Sequence, residues 1–271
     1  MPQSVGSLLV NILAGLVLIF LEKWLLPKLD RGNPLYRRYR LPFIGILWLI
    51  ANLIYAHFLS ESAPIFLIVT SAIISWIIYR ELNQFWCLGV VGADRETRLG
   101  INHEKALNLC TSSMDFLGIG GGKLRAYQSA FEAAIDRCSR PDRSIRFLLC
   151  RPNNEGLKRI AQSAGRDELS YQKVVQESLR MIAHLKNERA KNIQVRLYQD
   201  FPVFRLMFIN DAICLASHYV LGKGGDGSEA PQLHIVKASK SRDVESLYYA
   251  FSSYYERLWQ ESEIWDFQSY V

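Results

Sequence analysis

None of the five cysteines, Cys87, Cys110, Cys138, Cys150 and Cys214, forms a CxxC pair, and none stands at metal-ligand spacing from His103, His184, His218 or His234. That excludes the usual zinc and dithiol signatures, so neither a metal nor a cofactor is expected. The first seven residues hold no lysine or arginine. A secretory signal peptide needs a basic start and a small-residue cleavage site. The apolar run that follows continues through Glu22 and Lys23 to Leu26 without such a site, so it reads as a retained segment. There is no internal repeat and no low-complexity tract. Nor is there a dense basic block. Residues 1–82 carry seven basic and four acidic side chains, and the remainder 25 and 22, so the net +6 divides evenly. Beyond residue 82 the chain is close to balanced. Binding to long nucleic acid is disfavoured, whereas a small phosphate-bearing ligand is not.

What the chain does have is a crowded apolar start. Runs fill 8–26, 41–59 and 64–79. A bilayer core is about 30 Å thick and takes roughly 20 apolar residues of helix. The first two runs meet that length. The third meets it only if the helix continues past Arg80, or if Arg80 and Glu81 reach to the headgroups. Lys28, Arg31, Arg37, Arg38 and Arg40 stand between the first two runs against Asp30 alone, and no basic residue separates the second run from the third. Positive charge stays on the cytoplasmic side. The expectation is therefore a multi-pass protein of the inner (cytoplasmic) membrane, with its N-terminus outside and everything after Arg80 in the cytoplasm. Trp24, Tyr36, Tyr39, Trp76, Tyr79 and Trp86 flank the runs as interfacial aromatics do. Ionisable residues within the runs are few (Glu22, Lys23, His57), fewer than a proton relay or charged pore uses. Simple anchoring helices are the plainer expectation. Asn11, Asn52, Thr70, Ser71 and Ser75 remain available for hydrogen bonds between helices or subunits.

The expected organisation is a transmembrane region over 1–82, a connector over 83–100, and one α/β domain over 101–271. The periodicity predicts a helix over 103–110, a strand over 113–119, and one amphipathic helix over 124–138. In that helix Leu124, Tyr127, Phe131, Ala134, Ile135 and Cys138 share a face. A buried strand follows at 145–150, then helices near 155–163 and 168–190. Strands are expected over 193–198, 203–209, 212–219 and 233–238. The closing helix carries Val244, Leu247, Tyr248, Phe251, Tyr254, Tyr255, Leu258 and Trp259 at helical spacing. Strand–helix alternation followed by a strand cluster implies a mixed sheet covered by helices.

That element order resembles a single phospholipase-D-like domain, over roughly 102–261. The resemblance is most specific in QVRLYQDFPVFRLMFINDAICLASHY, residues 194–219. Active members of the family carry His-x-Lys-x4-Asp on a strand that turns into the next. Aligning the acidic position on Asp211 puts Phe204 at the histidine position and Leu206 at the lysine position. In the family the histidine is the nucleophile and the lysine offsets developing oxygen charge; Phe and Leu do neither. No catalytic residue is carried over, and the resemblance implies the fold without the activity. The chain is also similar to degenerate phospholipase-D-like modules attached to bacterial regulators. Its pairing of apolar spans with such a domain is similar to membrane effectors of prokaryotic antiviral defence.

Candidate ligand-binding residues are Gly120, Gly121, Gly122 and Lys123 at a strand–helix turn, where backbone N–H groups and a lysine suit phosphate. The P-loop spacing is absent, and a flexible turn is the plainer reading of the glycines. Arg151, Arg205, His218 and Lys223 join them as groups that an open α/β sheet gathers at its strand ends. Three readings follow. The first is a non-catalytic sensor and effector that binds a small anionic ligand, a nucleotide second messenger among them, or a protein, and then oligomerises and disrupts the lipid membrane. The second is a membrane-bound phosphodiesterase acting on lipid or nucleotide through residues such as His218 and Asp211. The third is a passive scaffold.

Overall fold

The computed structural model describes residues 48, 63–96, 103–140, 145–187, 191–201, 203–219, 230–237 and 246–269. Apart from Trp48, the apolar runs at 8–26 and 41–59 lie outside the described residues, as do the basic loop between them and Lys223. Two compact units divide the chain, Met1–Gln84 and Phe85–Val271. Trp48 apart, the described backbone of the first unit belongs to helix α1, Ala63–Cys87. This helix takes in the third apolar run and continues past Arg80. Val69, Trp76, Ile78, Tyr79 and Leu82 are exposed on it. Among the described residues no helix is long and apolar enough to cross a membrane.

The second unit is built on an eight-stranded mixed sheet, so the mixed α/β expectation holds. Its strands are β1 (Val90–Asp94), β2 (Met114–Gly118), β3 (Ile145–Cys150), β4 (Ile193–Tyr198), β5 (Phe204–Ile209), β6 (Ile213–His218), β7 (Gln232–Val236) and β8 (Glu263–Ile264), in the order β1-β7-β6-β5-β2-β3-β4-β8. β2, β3 and β4 run parallel. Parallel neighbours need crossovers. These are α3 (Gly122–Ala126) with α4 (Gln128–Cys138), and α5 (Glu155–Ser163) with α6 (Ser170–Asn187). β5, β6 and β7 form an antiparallel meander that joins β2 through β5. The short helix α2 (His103–Leu109) precedes β2, and α7 (Leu247–Glu261) precedes β8.

Side chains alternate across a strand, and the register sorts them onto two faces. Phe204, Leu206 and Phe208 share one face, which α7 covers. Phe204 meets Phe251 at 5.5 Å and Tyr254 at 5.7 Å, and Phe208 meets Tyr248 at 5.7 Å and Tyr255 at 5.6 Å, all edge to face. This is why the aromatic stripe of α7 exists: its rings pack against those of β5 at a favourable angle. The opposite face carries Phe116 and Phe147, and Phe131 of α4 packs edge-on against Phe147 at 5.9 Å. β3 is buried at every position but Arg146, as a central parallel strand requires.

The structure departs from the expectations in three places. The stretch 124–138 is two helices, because Tyr127 leaves helical geometry at φ −117°, ψ 47°. Leu124, Phe131, Ala134, Ile135 and Cys138 are nonetheless all buried, so the face was rightly placed. The stretch 83–100, read as a connector, holds the end of α1 and strand β1, which pairs with β7. β1 and β8 escaped notice because VVGAD carries little apolar alternation and β8 has only two residues.

Candidate functional site

Chain direction decides which loops meet. β2, β3 and β4 end on one side of the sheet, at Gly118, Cys150 and Tyr198. β5 runs the other way, so it begins on that side at Phe204, and β6 ends there at His218. The turn after β2, the turn after β3 and the exit of β6 therefore collect at one end. Gly120, Gly121, Gly122, Lys123, Arg151, Arg205 and His218 all belong to this end. It is the customary ligand side of an open α/β sheet.

Within that end the groups are not equivalent. The Gly121 N–H donates to Ser178 Oγ at 2.8 Å, and the Ser178 hydroxyl donates to the Val174 carbonyl at 2.6 Å. The Ile119 N–H donates to the Tyr219 hydroxyl at 2.9 Å, and the Tyr198 hydroxyl donates to the Gly118 carbonyl at 3.2 Å. The turn is thus wired to α6, β4 and the exit of β6. A Cβ on Gly120 would stand 3.2 Å from Val175 Cα. The glycine there serves the close approach of the turn to α6. Ser178, Tyr198 and Tyr219 were missed from sequence, since nothing local in their segments marks them as partners of the turn.

Arg151 is ion-paired with Glu263 of β8, and its Nε is buried without a hydrogen-bond partner among the described residues. Arg205 is 7% exposed and donates from Nη2 to Ser217 Oγ at 2.8 Å. Phe204 pairs with His218 and Arg205 with Ser217. Arg205 therefore projects to the opposite face from His218, and the two do not grip one ligand from the same side. His218 and Lys123 are exposed. Burial pushes the hydroxyls of Tyr198 and Tyr219 above the ordinary tyrosine range, so both are neutral hydrogen-bonding groups here.

At the positions that would carry the family chemistry, Phe204 lies between Phe251 and Tyr254, and Leu206 is fully buried. Asp211 lies at the other end of the hairpin. Asn210 and Asp211 take φ 57° and 54°, and the Ala212 N–H closes the turn onto the Ile209 carbonyl. Asn and Asp tolerate this left-handed geometry better than other side chains. The Asn210 carbonyl oxygen accepts from the N–H groups of Thr111 and Ser112, and its amide donates to the Leu109 carbonyl. Asp211 accepts from the Tyr248 hydroxyl at 3.1 Å and from Lys237 Nζ at 2.9 Å. Ile213 and His218 lie five positions apart along β6, and at about 3.3 Å per residue His218 stands on the order of 16 Å from the turn. His218 and Asp211 therefore do not form one catalytic pair. Among the described residues no group of three or more His, Cys, Asp or Glu is placed to hold a metal ion.

No family profile matches the sequence, and no curated protein matches it. Among solved structures the chain is similar to Nuc from Salmonella typhimurium, a phospholipase D family member, at 11% identity and TM-score 0.37 over 60% of this chain and 87% of that one. It is also similar to phosphatidylserine synthase from Haemophilus influenzae Rd KW20, at 7% identity and TM-score 0.42 over 61% of this chain and 36% of that one.

Proposed function

We propose that this chain is a membrane-held sensor and effector whose α/β unit has a phospholipase-D-like fold without phospholipase D chemistry. The observation that carries the non-catalytic part is the packing of Phe204 and Leu206. A nucleophile and a cation are needed where an aromatic cluster and a fully buried leucine stand. The separation of His218 from Asp211 argues against a substitute pair. The membrane part rests on the apolar runs and their charge asymmetry.

In this reading the cytoplasmic unit binds a small anionic ligand or a protein at the sheet end that holds Lys123, Arg151 and His218. Binding strengthens self-association, and the associated spans disrupt the inner membrane in the manner of prokaryotic antiviral effectors. A ligand acts only through its different affinity for the two states. The test uses the full chain in detergent and in liposomes. Cyclic mono-, di- and oligonucleotides are screened for binding, for a change in oligomer size and for dye release, with phosphodiester turnover measured in parallel. Saturable binding coupled to association and leakage, without turnover, supports the reading. Turnover free of contaminating enzyme returns the chain to the phosphodiesterases, and binding without association or leakage returns it to the scaffolds.

A further inference from the structure

Arg151 follows β3 directly and is fixed between the glycine turn and β4. The Cys150 N–H donates to the Ile119 carbonyl at 3.1 Å, and the Arg151 N–H donates to the Tyr198 carbonyl at 2.9 Å. Among the described residues its guanidinium is ion-paired with Glu263 alone. That contact runs through Nη2, while Nε is buried without a hydrogen-bond partner. Nε and Nη2 share one edge of a guanidinium, and a matching oxyanion takes both. Arg146 shows the complete form, with Nε and Nη2 donating to the two oxygens of Asp115 at 3.0 and 2.6 Å. Glu263 thus fills only half of the edge that an oxyanion would fill.

A second buried atom at this end also lacks a partner. The glycine turn packs on α6 at Val174 and Ser178. Ser170 stands on the same stripe of that helix, one turn earlier. Its Oγ is buried with no hydrogen bond among the described residues. Buried polar atoms are normally satisfied. The carboxylate that covers Arg151, by contrast, is lightly held. The Glu263 side chain is 63% exposed against 22% for Arg151. It stands on β8, a strand of only two residues, and ion pairs that face solvent hold weakly.

We propose that Glu263 is a built-in competitor at this end of the sheet, which rests on the anion-binding reading above. Its carboxylate occupies Arg151 until a phosphate-bearing ligand displaces it, takes Nε and Nη2 together and loosens β8 from β4. Calorimetric titration of the full chain in detergent with inorganic phosphate tests this. Glu263→Gln removes the competing charge and should tighten phosphate binding about tenfold. Arg151→Gln should weaken it about tenfold or more, and adding Glu263→Gln to that variant should change nothing further. A mere loss of nearby negative charge would tighten binding in both backgrounds. Amide hydrogen exchange across 262–266 should rise when phosphate binds the unmodified chain. Three results would overturn the competition and leave the anion end standing: phosphate binding that Glu263→Gln leaves unchanged, tightening that persists without Arg151, or exchange across 262–266 that phosphate does not alter. No saturable phosphate binding by either the unmodified chain or Glu263→Gln would overturn the anion end as well.

Discussion

Arg146 and Asp115 stand directly opposite each other in the parallel ladder of β2 and β3, and the guanidinium grips the carboxylate at two points. Burial opposes the charge on Arg146, and the hydrogen bonds it donates to Asp115 and Glu256 more than offset that, so its pKa is held above the usual arginine value. The guanidinium also lies 5.0 Å from the Tyr255 ring centroid and 5.2 Å from that of Trp259. The cluster therefore fastens α7 to the centre of the sheet.

Removing the cation strands two carboxylates in a half-buried place. Arg146→Met should lower unfolding free energy by about 2–4 kcal/mol. Adding Asp115→Leu should restore part of that loss, because the uncompensated charge goes with it. Urea denaturation of the single and double variants measures the coupling; strictly additive losses would deny the pair its role.

Restoring the family signature should not restore the reaction. Phe204→His with Leu206→Lys sets an ammonium in a fully buried site under α7. The variant should lose about 3 kcal/mol or more of stability and gain no phosphodiester turnover. Turnover above the unmodified chain in a folded variant would mean that the pocket is preorganised after all.

Ser178→Ala should cost about 1–2 kcal/mol. It leaves the Gly121 N–H without its acceptor where the turn meets α6. Amide hydrogen exchange at Gly121 should accelerate more than exchange in β3. Uniform acceleration would mark a global effect instead.

Thiol chemistry gives a pH test. Burial pushes Cys150 up to about 12 and raises Cys214, and the hydrogen bond with Cys138, together with burial, raises Cys110, whereas Cys87 is exposed. A raised pKa keeps the native thiol neutral. The associated stability is complete below the unfolded thiol range near pH 8.5 and declines as pH climbs toward about 12 for Cys150. At pH 8 a maleimide should label Cys87 promptly and the other four only on unfolding. Fast labelling of Cys150 in the native protein would contradict its burial.

Membrane orientation is tested by single cysteines at Glu61 and Arg98 in intact cells. An impermeant reagent should reach the first and not the second. The reverse pattern would place the α/β unit outside.

Much of the fold was legible. Periodicity located β3, β4, β5, β6 and α7 closely, because IRFLLC or the ring-bearing stripe of α7 has one sensible burial pattern. The site was legible only as a gathering of loops. Strand alternation places Phe204 and Arg205 on opposite faces, yet which face His218 shared depended on a register that sequence does not state. The links from Gly121 to Ser178 and from Ile119 to Tyr219 join residues 57 and 100 positions apart, and nothing local in either segment announces the other. Asp115 and Arg146 were more accessible: each is a lone charge within an apolar strand, and two such strands in parallel invite a pair.

The two outer margins of the sheet bear on how copies of this chain meet. At one, β8 offers two residues of ladder against β4, tied down by the ion pair of Glu263 with Arg151. At the other, the pairing of β1 with β7 slips register between Val90 and Gly92, an irregularity that bends a strand away from straight extension. Neither margin is a long, flat template for another chain. Copies of this protein are thus poorly suited to zipping together backbone to backbone into a continuous fibre. Among the described residues, contacts between copies are left to side-chain surfaces rather than to backbone pairing.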